Sequence, residues 1–250
     1  MSTAELVHHR DGHPERPWPA LLWRAGPGWR MISSAVLGGG LGERSWVLNA
    51  QVGHGYARRD PDAHLAAIAA AAGAEGPGVG LMTAADVPGT RSYAVDGGAE
   101  ALVTAGIGIS GWAAVPAEAR VPAHSGPGTI NILVALPVPL SDAALVNAVA
   151  TATEAKVQAL LEHGHDASGT PTDAVCVAAR APRGGEPVER FAGPRSLWGA
   201  RLARAVHRAT LRAAALDGTR TAASNGEGAG AGPWAEADEV EGPDRVAAGG

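Results

Sequence analysis

Residues 130–136 read INILVAL, and residues 141–163 read SDAALVNAVATATEAKVQALLEH. The first is a short apolar run broken only by Asn131, the pattern of a strand buried on both faces. The second is the strongest helix signal in the chain. Ser141 supplies an N-terminal cap, Leu145, Val149, Val157, Leu160 and Leu161 recur near the 3.6-residue period, and Gly164 ends it. Asp173–Ala179 then reads as a second strand.

Working outward, Leu21–Trp23, Trp29–Leu37 and Ser45–Val52 read as strands between glycine-rich turns, as do Val79–Thr83, Ser92–Val95 and Ala101–Ile107. Asp62–Ala72 reads as a helix opened by Asp60-Pro61 and closed by Gly73, and Leu197–Leu211 as a final amphipathic helix with arginine on its polar face. Many strands with long helices late in the chain predict an α+β fold of mixed or antiparallel sheets with packed helices. Residues 1–19 are polar, histidine-rich and aperiodic and read as a flexible lead-in. Residues 20–215 form the expected domain, and residues 216–250, dominated by glycine and acidic side chains, read as a disordered tail.

Composition narrows the function. The 250 residues are 46% hydrophobic and 18% charged, enough for one core, and the net charge of −5 leaves no footprint for nucleic acid. Cys176 is the sole cysteine, which excludes intramolecular disulfides and multi-cysteine metal sites and fits a reducing cytoplasm. No run of eighteen apolar residues occurs and the first residues are polar, so a soluble intracellular protein without a membrane segment is expected. Among 20 basic residues only Lys156 is a lysine, which makes it conspicuous.

Several motifs fail on physical grounds. Gly106–Gly111 satisfies GxGxxG, but Pro116 follows and no helix opens within the glycines to receive a pyrophosphate. Gly38–Ser45 lacks both the spacing and the lysine of a P-loop. Asp11-Gly12-His13 partly matches an Asp-x-His-x-x-Gly cobalt-ligand motif, yet Arg16 stands where glycine is needed, and the segment reads as a solvated tail. His163 and His165 read as helix-end histidines rather than ligands. His54 reads equally as a base or a surface residue, and Cys176 as a small core residue.

The signal lies in polar clusters at strand ends: Ser33-Ser34-Ala35, Asn49, Met82-Thr83-Ala84-Ala85, Gly128-Thr129-Ile130-Asn131 and Gly169-Thr170-Pro171-Thr172-Asp173. Each alone fits a turn or cap; five in one domain argue for a site. With Gly38-Gly39-Gly40, Tyr56, Asp60-Pro61, Thr104–Gly108, Pro139-Leu140-Ser141 and Thr153-Glu154-Ala155-Lys156, these segments resemble the adenosylcobinamide amidohydrolase family over about Trp29 to Leu211. The chain departs from that family's usual pattern at Ala50 and at Ile109-Ser110.

The resemblance implies hydrolysis of the amide joining the aminopropanol arm to the corrin ring of adenosylcobinamide, giving adenosylcobyric acid in cytoplasmic cobalamin salvage. The cobalt corrinoid is then a small-molecule substrate, and neither a resident cofactor nor a metal is expected. Amide hydrolysis needs a nucleophile, a protonated leaving amine and oxyanion donors. With no cysteine in the main clusters and no clear metal set, a hydroxyl or an Asp-activated water remains as nucleophile. Thr129 suits an N-terminal-nucleophile hydrolase cut at Gly128–Thr129, whose layered αββα arrangement the run from Ile130 to Ala179 loosely resembles. Asp173 is the candidate to orient or deprotonate a group, and Asn131 and Asn49 are candidate donors. Lys156 either pairs with Asp173 or Glu154 or sits on a solvated helix face. Ser33, Ser34, Asn49, Tyr56, Thr83, Thr104 and Thr172 complete the candidate substrate contacts. Trp29, Trp46, Tyr56 and Trp112 either cover the corrin face or fill the core. Two rivals stand beside this reading: a corrinoid-binding protein without catalysis, and a self-processed hydrolase of other amides.

Overall fold

Strand β9 (Thr129–Leu136) is buried along its whole length, and its two faces see different partners. Ile130, Ile132, Val134 and Leu136 point into one apolar cluster, and Leu133 and Ala135 into another. Period-two alternation inside an all-buried strand is what a strand between two covering layers requires. The computed structural model describes residues 4–10, 17–115 and 128–225.

The preceding elements are β1 (Glu5–His9), β2 (Trp18–Arg24), β3 (Trp29–Ser33), β4 (Gly40–Glu43), β5 (Trp46–Gln51), α1 (Pro61–Ala71), β6 (Gly78–Thr83), α2 (Val87–Thr90), β7 (Ser92–Asp96) and β8 (Ala99–Gly106). After β9 come α3 (Asp142–Glu162), β10 (Ala174–Arg180) and α4 (Leu197–Asn225). They form a four-stranded sheet, β1-β2-β5-β6, and a six-stranded sheet, β4-β3-β10-β9-β8-β7. Both are mixed: β5–α1–β6 and β9–α3–β10 are parallel crossovers, and the other pairs are antiparallel.

Three apolar clusters define four layers. One joins the outer face of the six-stranded sheet to α3 and α4. A second lies between the sheets around Trp23, Met31, Val47, Leu81, Leu133 and Cys176. The third joins the outer face of the four-stranded sheet, through Leu22, Trp46 and Leu48, to Leu65 and Ile68 of α1. The order is α3/α4, six-stranded sheet, four-stranded sheet, α1: an α+β fold in the expected αββα layering.

The termini differ from the sequence reading. Residues 5–9, expected in a lead-in, form β1, which pairs antiparallel with β2, and His9 Nε2 lies 2.8 Å from the Gln51 carbonyl oxygen. An edge strand with one covered face needs few apolar residues, so its sequence carries no strong pattern. The expected tail boundary at 216 falls inside α4, which runs to Asn225. Loss of apolar residues there does not end the helix, because residues 216–219 are mostly exposed and need no apolar side chains. Residues 226–250 and the Asp11–Arg16 motif lie outside the described residues.

Helix α3 is capped as expected, the Ala144 amide donating to Ser141 Oγ. Its buried face, however, is rotated from the predicted aliphatic stripe. It consists of Ala144, Leu145, Ala148, Thr151, Ala152, Ala155, Lys156, Ala159 and Leu160, while Leu161 is exposed. Alanines let α4 and the sheet approach closely, so small residues mark the contact and larger ones flank it. That rotation puts Lys156 inside.

Candidate active site

Strand direction gathers the polar clusters. Because β10 runs parallel to β9 and antiparallel to β3, the starts of β9 and β10 share one end of the six-stranded sheet with the end of β3. The end of β8 joins them, Gly106 lying opposite Thr129. The end of β6 closes the same side: the Met82 carbonyl meets Asn131, and Ala85 packs so closely on Gly106 that a Cβ there would lie 2.9 Å from it.

Asp173 is the centre of this end. Its Oδ1 accepts from the Ile130 amide at 2.8 Å and from the Thr170 hydroxyl. Its Oδ2 accepts from the Thr170 amide at 3.1 Å and from Lys156 Nζ. The Lys156 and Asp173 side chains are 8% and 11% exposed, so this ion pair is largely shielded from water. Lys156 thus pairs with Asp173 and does not lie on a solvated helix face. Gly169 is required beside them, since a Cβ there would run into both Asp173 Oδ2 and Lys156 Nζ.

Thr129 stands next to this hub. Its hydroxyl lies 2.6 Å from that of Thr172, which donates to the Gly128 carbonyl at 2.9 Å. One proton per hydroxyl then fixes the order: Thr129 donates to Thr172, and Thr172 to Gly128. The Thr170 hydroxyl also reaches the Gly128 carbonyl at 2.9 Å. Nothing in the sequence marks Thr170 out within the Gly169–Asp173 cluster. The Thr-Pro-Thr-Asp run signals only a turn, and the partner carbonyl, that of Gly128 just before β9, lies 42 residues away in the chain.

The amides serve a different purpose from the one expected. Asn131 Nδ2 donates to Asn49 Oδ1 at 2.8 Å and to the Met82 carbonyl at 3.0 Å, and Asn49 Nδ2 donates to Thr104 Oγ1 at 2.9 Å. Both Asn131 amide protons are therefore occupied and none is left for an oxyanion. This chain ties β5, β6, β8 and β9 together between the sheets. Asn131 Oδ1 is buried without a hydrogen-bond partner among the described residues, and Asn131 and Asn49 line a small cavity with Leu21, Trp23, Val47 and Leu133.

Most expected substrate contacts are likewise engaged within the protein. Ser33, Asn49, Thr83 and Thr104 are buried. The Ser33 hydroxyl donates to the Val175 carbonyl and accepts from the Ala35 amide, and Thr83 Oγ1 accepts from the Ala85 amide. They shape turns, which is the bland reading of such clusters. Ser34 and Thr172 are exposed residues, although Ser34 Oγ accepts from the Val175 amide at 3.1 Å. Tyr56 is not brought to the cluster: its hydroxyl lies 3.1 Å from His64 Nδ1 on α1, and the two rings stack at 5.6 Å.

The remaining candidates divide in the same way. Trp46 packs in the outer core and Trp29 against Trp23, whereas Trp112 is partly exposed with Nε1 donating to Asp166 at 3.2 Å. The Gly106–Gly111 run opens no helix; Gly111 instead bridges to Gly169. His163 and His165 stack at 5.2 Å beyond α3, and burial followed by the His163 charge pushes His165 below its ordinary value. Burial pushes the Cys176 thiol up to about 12. A groove between α3 and α4 holds Glu154, Arg204, His207 and Arg208, but both arginines are committed to Asp96. Among the described residues, no group of three or more His, Cys, Asp or Glu is arranged to hold a metal ion, and no helix is long and apolar enough to cross a membrane.

The family model described as adenosylcobinamide amidohydrolase matches residues 3–222. The curated adenosylcobinamide amidohydrolase of Methanosarcina mazei is 36% identical over 145 residues, covering 58% of this chain and 67% of that relative. Among solved structures, the PH0078 protein from Pyrococcus horikoshii OT3 is similar over 86% of this chain and 83% of its own, at 12% identity and a TM-score of 0.42.

Proposed function

The chain belongs to the adenosylcobinamide amidohydrolase family, and from that premise we propose that Thr129 carries out the hydrolysis, with Asp173 and Lys156 holding it in place. The protein is an enzyme, an amidohydrolase acting on adenosylcobinamide, so a purely corrinoid-binding role is set aside. The bond cut is the amide between the aminopropanol arm and the corrin ring, and the product is adenosylcobyric acid for cobalamin salvage in the cytoplasm. Cobalt enters with the substrate, and the enzyme carries no resident cofactor.

The Thr129 hydroxyl beside exposed Thr172, at the end where the two sheets meet, is the observation that carries this reading. Thr129 Oγ adds to the substrate carbonyl, the aminopropanol nitrogen leaves with a proton, and water then hydrolyses the threonyl ester to release the acid. Asp173 acts through the backbone. By accepting from the Ile130 amide it fixes the peptide next to Thr129, and Lys156 fixes Asp173. Those two are positioning residues. Ser34 and Thr172 are exposed residues that face the corrin's peripheral amides, and the Ser34 hydroxyl, which accepts from the Val175 amide at 3.1 Å, keeps its proton for them.

The test is incubation of the purified protein with adenosylcobinamide, following corrinoid masses by chromatography. Wild type converts substrate to adenosylcobyric acid with release of aminopropanol, and folded Thr129→Ala does not. Full turnover by Thr129→Ala refutes Thr129 as nucleophile; an inert, folded wild type refutes the substrate.

A further inference from the structure

A threonine hydroxyl attacks an amide only if something takes its proton, and among the described residues no basic side chain hydrogen-bonds the Thr129 hydroxyl. Its hydroxyl meets only that of Thr172 among the described residues. Both Asp173 oxygens are turned to Ile130, Thr170 and Lys156 instead. The backbone nitrogen of Thr129 is locked in the peptide bond to Gly128 and has no basic lone pair. Yet that peptide is arranged to be attacked: the Gly128 carbonyl has the Thr170 and Thr172 hydroxyls at 2.9 Å each.

We propose that the chain cleaves its own Gly128–Thr129 peptide bond and so frees the α-amine of Thr129 as the base for its hydroxyl. The inference rests on the reading of Thr129 as the nucleophile. Thr129 Oγ bonds to the Gly128 carbonyl carbon while its proton passes to Thr172 Oγ, and the Thr172 proton passes to the Gly128 oxygen. Thr170 turns its own proton toward that oxygen, and Asp173 keeps Lys156 and two backbone amides. The C–N bond then breaks, the proton on the Gly128 oxygen moves to the Thr129 nitrogen, and an ester joins Gly128 to Thr129 Oγ. Water hydrolyses the ester, leaving a Gly128 carboxylate, a free Thr129 hydroxyl and a free amine. Donors placed on a developing oxyanion typically speed such steps by two to three orders of magnitude each, or about 10²–10³.

Intact-mass measurement of the purified full chain, with N-terminal sequencing of each band, tests this. Wild type gives two polypeptides, 1–128 and 129–250, whose masses sum to the intact chain plus one water. Thr129→Ala stays whole, Thr129→Ser is cut, and Thr172→Val, altering an exposed side chain, is cut more slowly than wild type. A whole wild-type chain that turns over adenosylcobinamide overturns self-cleavage and leaves the amidohydrolase standing. A whole, folded and inert chain overturns both. A chain cut at Thr129 but inert supports self-cleavage and overturns the substrate reading. A new N-terminus other than Thr129 overturns the inference.

Discussion

Lys156 and Asp173 form a shielded pair with unequal support, and that inequality fixes the order in which their variants lose stability. Lys156 Nζ has Asp173 as its partner, whereas Asp173 has three further donors: the Ile130 amide, the Thr170 amide and the Thr170 hydroxyl. Removing one partner of a buried pair costs about 3–5 kcal/mol, because a charge stays behind without compensation. In Lys156→Met the stranded carboxylate keeps three donors, so the loss falls near about 3 kcal/mol. In Asp173→Ala the ammonium is stranded alone, and each donor left unpaired adds about 1–3 kcal/mol. The sum, about 5 kcal/mol or more, approaches the whole stability of a marginal domain. Urea unfolding of wild type, Lys156→Met, Asp173→Asn and the double variant reads this directly, and Asp173→Asn serves where Asp173→Ala fails to fold. The double variant is expected to lose less than the sum of the singles, with a coupling of about 1–3 kcal/mol. A Lys156→Met loss within about 0.5 kcal/mol, the range of ordinary surface changes, refutes the buried pair. Lys156→Met losing more than Asp173→Asn refutes the asymmetry.

Three further outcomes are expected. Gly169→Ala pushes a methyl into Asp173 Oδ2 and Lys156 Nζ, so unfolding experiments should show a loss of about 1–3 kcal/mol with reduced turnover, whereas Gly184→Ala, in open space, should be neutral. Cys176, buried with its thiol pushed up to about 12, should resist thiol-reactive disulfide reagents at pH 8 in the native protein and react at once in denaturant; fast native labelling would contradict its placement. Asp96 lies below its ordinary value of 3.8, chiefly through its hydrogen bond from Arg204 and then through Arg208. A carboxylate depressed on folding contributes stability above its unfolded pKa and loses it as pH falls through the folded one. Asp96→Asn should therefore be less stable than wild type at pH 7, with the gap closing below 3.8; a gap independent of pH would exclude the ion-pair origin.

The M. mazei relative aligns to 58% of this chain, while the family match runs over residues 3–222 and so takes in β1 and all but the last residues of α4. Both ends that the sequence reading set aside thus belong to the region that the family shares. The reason lies in what each end buries. β1 covers one side of an edge, and residues 215–219 of α4 are mostly exposed, so neither needs the apolar density by which a core segment is recognised.

Local chemistry was enough to determine β9, the Ser141 cap of α3, the two crossover helices and the α+β class, because period, cap and breaker residues act over a few neighbours. The polar clusters at strand ends were also visible, since turns draw Thr, Ser, Asn and Gly wherever they occur. Which of them meet was a matter of sheet order. Parallel β9 and β10 bring Thr170, Thr172 and Asp173 onto Gly128–Thr129–Ile130 across more than forty residues, with a separation of 43 between Asp173 and Ile130. The rotation of α3, set by alanines packing on α4, turned Lys156 inward, and the pairing of two sheets converted Asn49 and Asn131 from donors in waiting into occupied struts. Distances between residues far apart in the chain are set by packing, which no local pattern encodes; the sequence held the parts of the site, and the tertiary structure chose their partners.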